Sequence, residues 1–300
     1  MIIAPALKPG DPIRVVSPSG PSDPELVARG VAWLGERFEV RQGGAPREPH
    51  GYLAGSDELR LAELNAALRD PDARAVVATR GGYGLNRIAH AVDARALREN
   101  PKWIVGFSDI TALHVEALRA GVASLHADNV AGLGRGDDRS RASWLSALER
   151  PLASRRVADL ETWYGGVATG PLVGGNLTVL FACFAARRLD IPNGAVLLLE
   201  DIGEAPYRLD RMLSALLVAG ALDRVAAVLL GDFVDSDPGR YGVPARAVLR
   251  ERLGELRVPI LAGLPVGHGP INDPVHLGLP VRVDGTTATV TFGLRDAATP

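Results

Sequence analysis

PKWIVGFSDITALHVEALRA, residues 101–120, reads as a buried strand, a turn and a helix in direct succession. Trp103, Ile104 and Val105 form an apolar run with no alternation, the pattern of a strand covered on both faces. Gly106 to Asp109 supply turn residues, and ITALHVEALRA follows with helical spacing. The same alternation extends outward on both sides. Toward the N-terminus, IRVVSPSG (13–20) is an apolar run ending in turn residues, and PELVARGVAWLGE (24–36) sets Leu26, Val27, Val31 and Leu34 on one helical face. DELRLAELNAALRD (57–70) is a second helix, ARAVVATRGGYG (73–84) a strand that stops at glycines, and LNRIAHAV (85–92) a further helical stretch. Short apolar strands between helices predict an α/β fold built on a parallel sheet.

Residues 132–170 change character. GLGRGDDRSRAS (132–143) is polar and rich in glycine and arginine, SWLSALERPL (143–152) suits one helix, and ETWYGGVATGPLVGG (161–175) suits loop and edge strand. This predicts one domain over 1–150, a linker over 151–170 and a second domain over 171–300. In that second part GNLTVLFACFAA, YRLDRMLSALLVAG and ARAVLRERLGEL read as helices, and GAVLLLED, RVAAVLLGDF and PILAGLPVG as strands. PVRVDGTTATVTF (280–292) is the clearest hairpin, with Asp284-Gly285 between two alternating strands.

Composition narrows the classes of function. With 300 residues, 47% hydrophobic and 23% charged, the chain is globular, and its length suggests about two domains. A formal net charge of −2 gives no electrostatic footprint for nucleic acid or an anionic membrane. The single cysteine, Cys183, excludes an intrachain disulfide framework and fits a reducing, cytoplasmic compartment. The opening MIIAPALKPGDP is broken by Pro5 and Pro9 and is not expected to be a secretory segment. No apolar run approaches the length of a membrane span.

Sites in α/β sheets form beyond the carboxyl ends of strands. Four such places carry chemistry here: Arg80 to Gly84, Gly106 to Asp109, Glu200-Asp201, and His268 within Gly267-His268-Gly269. Ser108, between strand and helix, has the placement of a nucleophile lifted above a sheet edge, although Ile110 departs from the G-x-S-x-G pattern. The competing reading is that Ser108 only caps the following helix. The glycines of Arg80–Gly84 let backbone amides approach a ligand, so one such amide and that of Asp109 can form an oxyanion hole, the competing reading being a phosphate-binding or purely structural turn. The glycine run lacks both nucleotide-binding spacings. A carboxylate at the end of AVLLLE can orient an imidazole, with Glu200 and its neighbour Asp201 equally placed by spacing. A metal set from His126, Asp128, His268 and His276 lacks the paired short spacing that metal sites use. His90 and His114 fall within helical stretches and read as satisfied or solvated.

Taken together, RGGYG (80–84), GFSDIT (106–111), GGNLTVL (174–180), LLLEDIGEAPYRLDRML (197–213) and GLPVGHG (263–269) occur in one order. In this the chain resembles the serine LD-carboxypeptidase family, which also contains the microcin C immunity peptidases. The resemblance implies a triad of Ser108 as nucleophile, His268 as base and Glu200 as its acid. It implies an oxyanion hole from the amide of Asp109 and one in the Gly81–Gly82 turn. The implied fold is an N-terminal Rossmann-like parallel sheet domain joined to a smaller C-terminal α/β domain, with the site between them. Members form homodimers and need no metal or other cofactor. The implied substrate is a small peptide, a muropeptide from which terminal D-alanine is released, with Tyr83, Asn176 and Glu204 as candidate contacts. His126-Ala127-Asp128 stands where members often carry His-Gly-Pro. The chain lacks the longer insertion associated with the immunity peptidases, which favours the carboxypeptidase branch. A two-lobed binding protein and a metallohydrolase are the readings from other classes.

Overall fold

The computed structural model describes residues 1–43 and 48–293. The chain divides into two compact units, Met1–Pro151 with Asp273–Leu277, and Leu152–Asn272 with Gly278 onward.

The first unit runs β1 (Pro12–Val16), α1 (Pro24–Gly35), β2 (Glu39–Gln42), α2 (Asp57–Arg69), β3 (Ala75–Ala78), α3 (Ala94–Glu99), β4 (Trp103–Gly106), α4 (Thr111–Arg119), β5 (Ser124–His126), α5 (Val130–Leu133) and α6 (Asp138–Glu149). Its strands β2, β1, β3, β4 and β5 are parallel neighbours in that order. β3 and β4 are buried at every position, as their unbroken apolar runs require. Local chemistry sets the helix starts. Pro24 opens α1 while the Asp23 carboxylate accepts from the amides of Glu25 and Leu26, and the Ser56 hydroxyl caps α2. Helices α1 and α5 meet closely because Gly30 has no side chain; a Cβ there would lie 2.1 Å from the Val130 carbonyl oxygen.

The second unit runs β6 (Arg155–Val157), β7 (Glu161–Tyr164), β8 (Val167–Asn176), α7 (Leu177–Ala185), β9 (Ala195–Ile202), α8 (Pro206–Val218), β10 (Val225–Val234), α9 (Ala245–Gly254) and β11 (Ile260–Ala262). After β12 (Val275–Leu277), it closes with β13 (Pro280–Asp284) and β14 (Thr289–Phe292). Its eight-stranded sheet has the order β6-β14-β13-β8-β9-β10-β11-β7. The central β8, β9, β10 and β11 are parallel and the flanking strands antiparallel.

Four expectations change. Residues 151–170, read as linker, contribute β6, β7 and the start of β8 to the second sheet; their polar faces suit edge strands that are only half covered. Residues 273–277, assigned to the second domain, belong to the first unit, where β12 pairs antiparallel with the β5 edge and covers its open hydrogen-bonding groups. LNRIAHAV forms two 3₁₀ turns rather than an α-helix, entered from Gly84 at φ 125° and with the Leu85 amide held by Asp109. The 280–292 hairpin forms, but its strands end at Asp284 and restart at Thr289, and the Asp284 carboxylate accepts from the amides of Thr286 and Thr287 to close a four-residue loop.

Candidate active site residues in the two units

In the first unit, the four buried residues of β4 carry the chain to its carboxyl edge, where it turns sharply. Gly106 has φ 155°, and a Cβ on it would lie 2.8 Å from Ile110 Cγ1. Phe107 is extended, and Ser108 then adopts φ 64°. A serine in the left-handed region costs about 1–3 kcal/mol and persists where surrounding structure imposes it. An N-cap residue instead has extended backbone and a side chain bonded to the helix. Ser108 is left-handed, and neither the 3₁₀ turn over Ser108–Ile110 nor α4 receives a side-chain cap. The capping explanation for Ser108 therefore does not describe this turn. A strained strand-to-helix turn is also the kind of place from which nucleophilic serines act in α/β-hydrolases.

The turn is fixed from below by His114, fully buried on α4. Its Nε2 donates to the Gly106 carbonyl at 2.9 Å and its Nδ1 accepts from the Ser124 hydroxyl at 2.9 Å. Burial lowers the His114 pKa to about 4, so the ring is neutral at neutral pH and serves as a strut. From above, Gly81 approaches Ser108: a Cβ there would lie 2.8 Å from Ser108 Cβ and 3.1 Å from Ser108 Oγ. Gly82, at φ 98°, continues the bend, and the Gly20 amide donates to the Gly81 carbonyl at 3.2 Å. Tyr83 is 50% exposed and meets Tyr52 edge to face. Asp109 is buried, and its carboxylate accepts from the Leu85 amide at 2.8 Å.

In the second unit, Glu200 on β9 is 0% exposed and accepts from His268 Nδ1 at 2.6 Å. Burial raises the Glu200 pKa, while the His268 hydrogen bond and charge, and the Asn176 side chain, act against that rise. Three details bring the imidazole to this carboxylate. β10 carries one extra residue opposite Glu200, a bulge between Leu230 and Phe233. Gly231 and Gly267 leave room there, since a Cβ on Gly267 would lie 2.7 Å from Glu200 Oε2 and one on Gly231 2.2 Å from the Val266 carbonyl. The loop is then tied on both sides of His268, with the Gly267 amide donating to Asn272 at 3.0 Å and the Gly269 amide to Asp232 at 3.2 Å.

Asp201 points the other way. It accepts from Asn176 Nδ2, the Thr178 amide and hydroxyl, and the Ile202 amide, all within 2.9 Å. It anchors the start of α7 and has no capacity left for an imidazole. Asn176 itself is buried, its Oδ1 capping α7 through Val179 and its amide held by Asp201. Glu204 pairs with Arg208 at 3.6 Å. The histidines of the suggested metal set have other contacts: His126 packs its ring on Phe107 and His114, His276 bonds the Ala147 carbonyl, and His268, in the second unit, is engaged by Glu200. Among the described residues no group of three His, Cys, Asp or Glu is arranged to hold a metal ion. Asp232 gave no sequence signal, because it lies inside the strand β10, at the bulge. Arg60 gave no signal, because it interrupts the apolar spacing of its helix, while His114 is the satisfied helical histidine its spacing suggested.

A strained serine beside a glycine turn and a buried carboxylate–imidazole pair are the parts of a serine hydrolase. Comparison with known proteins gives the family. Residues 13–127 match the LD-carboxypeptidase N-terminal domain of the peptidase S66 family, and residues 169–283 match its C-terminal domain. A putative carboxypeptidase of Synechocystis is 36% identical, with 95% of each chain covered. The murein tetrapeptide carboxypeptidase of Pseudomonas aeruginosa is 34% identical over 87% of this chain and 86% of its own. Among solved structures, MccF in complex with glutamyl sulfamoyl guanosine has the same fold, with TM-score 0.89 at 23% identity over 98% of this chain and 99% of that one. The chain belongs to the LD-carboxypeptidase family of peptidases.

Proposed function

We propose that this enzyme is a serine LD-carboxypeptidase that releases terminal D-alanine from peptidoglycan-derived tetrapeptides. The observation that carries the chemistry is the 2.6 Å hydrogen bond from His268 to the fully buried Glu200, an imidazole oriented by an acid with no other access to solvent. Membership of the family, and likeness to a murein tetrapeptide carboxypeptidase over most of both chains, support the substrate class.

In this reading Ser108 Oγ attacks the carbonyl of the L,D-amide bond as His268 Nε2 takes its proton. Glu200 holds Nδ1–H, which fixes the tautomer and favours the imidazolium. The oxyanion is met by the amide of Asp109, at the start of a helix, and by an amide of the Gly81–Gly82 turn; each donor of this kind is worth roughly 2.7–4 kcal/mol in the transition state. His268 then protonates the departing D-alanine amine, and water, activated by the same base, releases the acyl group. Tyr83, Asn176 and Glu204 remain the proposed neighbours of substrate. Asn176 acts through its contacts with Glu200 and Asp201, and Tyr83 through an exposed ring beside the glycine turn. The enzyme is further proposed to work in the cytoplasm as a homodimer, without nucleic acid or membrane as partners. The buried, single Cys183 fits the first of these, and sedimentation of the purified chain tests the second. Among the described residues no helix is long and apolar enough to cross a membrane.

The deciding experiment is D-alanine release from a free or UDP-MurNAc-linked tetrapeptide, with wild type, Ser108→Ala and a chelator-treated sample run together. Release that ignores the chelator and vanishes in the folded variant supports the proposal. Release that survives Ser108→Ala overturns the triad. A wild type inert on tetrapeptide yet active on an aminoacyl-nucleotide moves the enzyme to the immunity branch.

A further inference from the structure

The loops that follow β1, β3 and β4 are tied together by two charged side chains that water does not reach. Arg60, on α2, is 0% exposed, and Asp109, next to the nucleophile, 1%. One nitrogen of the Arg60 guanidinium donates to the Pro18 carbonyl, after β1, and to the Gly84 carbonyl, after β3, the latter at 3.0 Å. Its second terminal nitrogen pairs with Asp57. The Asp109 carboxylate accepts from the Leu85 amide at 2.8 Å and is approached by the buried Ser19 hydroxyl. Burial pushes its pKa up, while those hydrogen bonds and the charge of Arg60 push it down.

Buried charged side chains are an expensive way to hold a fold together, since apolar residues of the same volume often do as well. Where these two charges sit gives them another role. The stretch from Gly81 to Leu85 is pinned at its far end by Arg60 through Gly84 and by Asp109 through Leu85. Its near end lies on Ser108, where any Cβ on Gly81 would collide. Asp109 therefore contributes twice: its amide belongs to the nucleophile turn, and its carboxylate fixes how far the opposing glycine turn stands from that amide.

We infer that Asp109, through its carboxylate, and Arg60 are positioning residues for the reaction at Ser108, holding the Gly81–Gly84 loop at the distance where two backbone amides converge on one oxyanion. The assignment rests on the serine-peptidase reading given above. The oxyanion develops only as Ser108 adds to the carbonyl and is absent from bound substrate, so loosening this loop lowers kcat and leaves KM nearly unchanged. Displacements of about 1 Å in such a site cost on the order of 10²-fold.

The test uses Asp109→Asn, Asp109→Ala and Arg60→Lys in the full chain, with Tm, kcat and KM on tetrapeptide measured for each. A fluorophosphonate that labels the active serine supplies an independent readout, because its phosphoryl oxygen needs the same amides. Asp109→Ala is expected to lose about 10²-fold in kcat, with KM within about threefold, and to label more slowly by a similar factor. Asp109→Asn and Arg60→Lys, which keep a hydrogen-bonding group or the charge, are expected to fold and to lose about tenfold. A fall in Tm with kcat and labelling rate at wild-type values in the folded Asn and Lys variants would overturn the assignment and leave the pair as fold ballast. Wild type that neither labels at Ser108 nor releases D-alanine would remove the serine-peptidase reading and this inference together.

Discussion

At Ser108 the backbone itself is bent, with φ 155° at Gly106 and 64° at the serine, whereas Glu200 lies within extended β9 and meets His268 through side chains. The two regions meet different demands. A nucleophile must project its hydroxyl from a crowded sheet edge, and a strained turn does this because its strain keeps alternative rotations of the main chain closed. A base must keep one tautomer and still move a proton, which calls for a short hydrogen bond to a buried acid on an otherwise ordinary strand. Glycine is needed in both places for opposite reasons. At Gly81 it lets backbone approach Ser108, the proposed nucleophile, and at Gly267 it lets a loop pass over a carboxylate.

The comparison can be broken most severely at the hydroxyl. Ser108→Ala is expected to cut D-alanine release by about 10⁶-fold, as loss of a triad nucleophile does, while circular dichroism and Tm stay close to wild type. Survival of turnover would mean that the strained turn has another purpose. Glu200→Gln comes next. A glutamine amide favours the wrong imidazole tautomer, so kcat should fall about 10⁴-fold, with fluorophosphonate labelling of Ser108 slowed in parallel.

Smaller effects sharpen the contrast. Gly81→Ala should reduce kcat on the order of 10²-fold, because the added methyl must displace Ser108. Gly267→Ala carries backbone strain at φ 123° as well as a clash with Glu200, so it should also lower unfolding stability by about 1–3 kcal/mol in urea titrations. Equal Tm values for the two variants would show that the loop over Glu200 is softer than its geometry implies.

The mildest prediction concerns acid. His114 is neutral in the folded state, with its pKa lowered from 6.5 to about 4, so between those values the unfolded chain binds more protons. Its contribution to stability is therefore complete above pH 6.5 and is lost as pH falls toward 4, by about 3 kcal/mol in all. His114→Gln should flatten this part of the stability profile in urea titrations at pH 7.5 and pH 4.5, and an unchanged slope would place the acid sensitivity elsewhere.

Much of this arrangement was legible in the residues. The apolar runs at 103–106, 195–200 and 225–230 announced parallel strands, and turn residues after them marked where chemistry would gather. The order of GFSD, LLLED and PVGHG pointed to the family. Other parts were not legible, for identifiable reasons. Residues 151–170 looked like linker because edge strands half covered by protein carry polar and glycine residues that loops also use. The 85–92 segment looked helical because Leu85, Ile88 and Ala89 have helical spacing, and nothing local reveals that the Leu85 amide is bonded to Asp109.

The sequence by itself determined the parallel α/β alternation and the places along it where a hydroxyl, an acid and an imidazole appear, because periodicity and turn chemistry are local. Two choices belonged to the tertiary structure alone. Whether Ser108 caps the following helix depended on a backbone angle set among Gly106, His114 and the glycine turn. Whether Glu200 or Asp201 serves the imidazole depended on strand alternation and the β10 bulge, which turn Glu200 to a histidine 68 residues away and Asp201 to the start of α7. Adjacent carboxylates are chemically alike, and only the faces on which they emerge separate them.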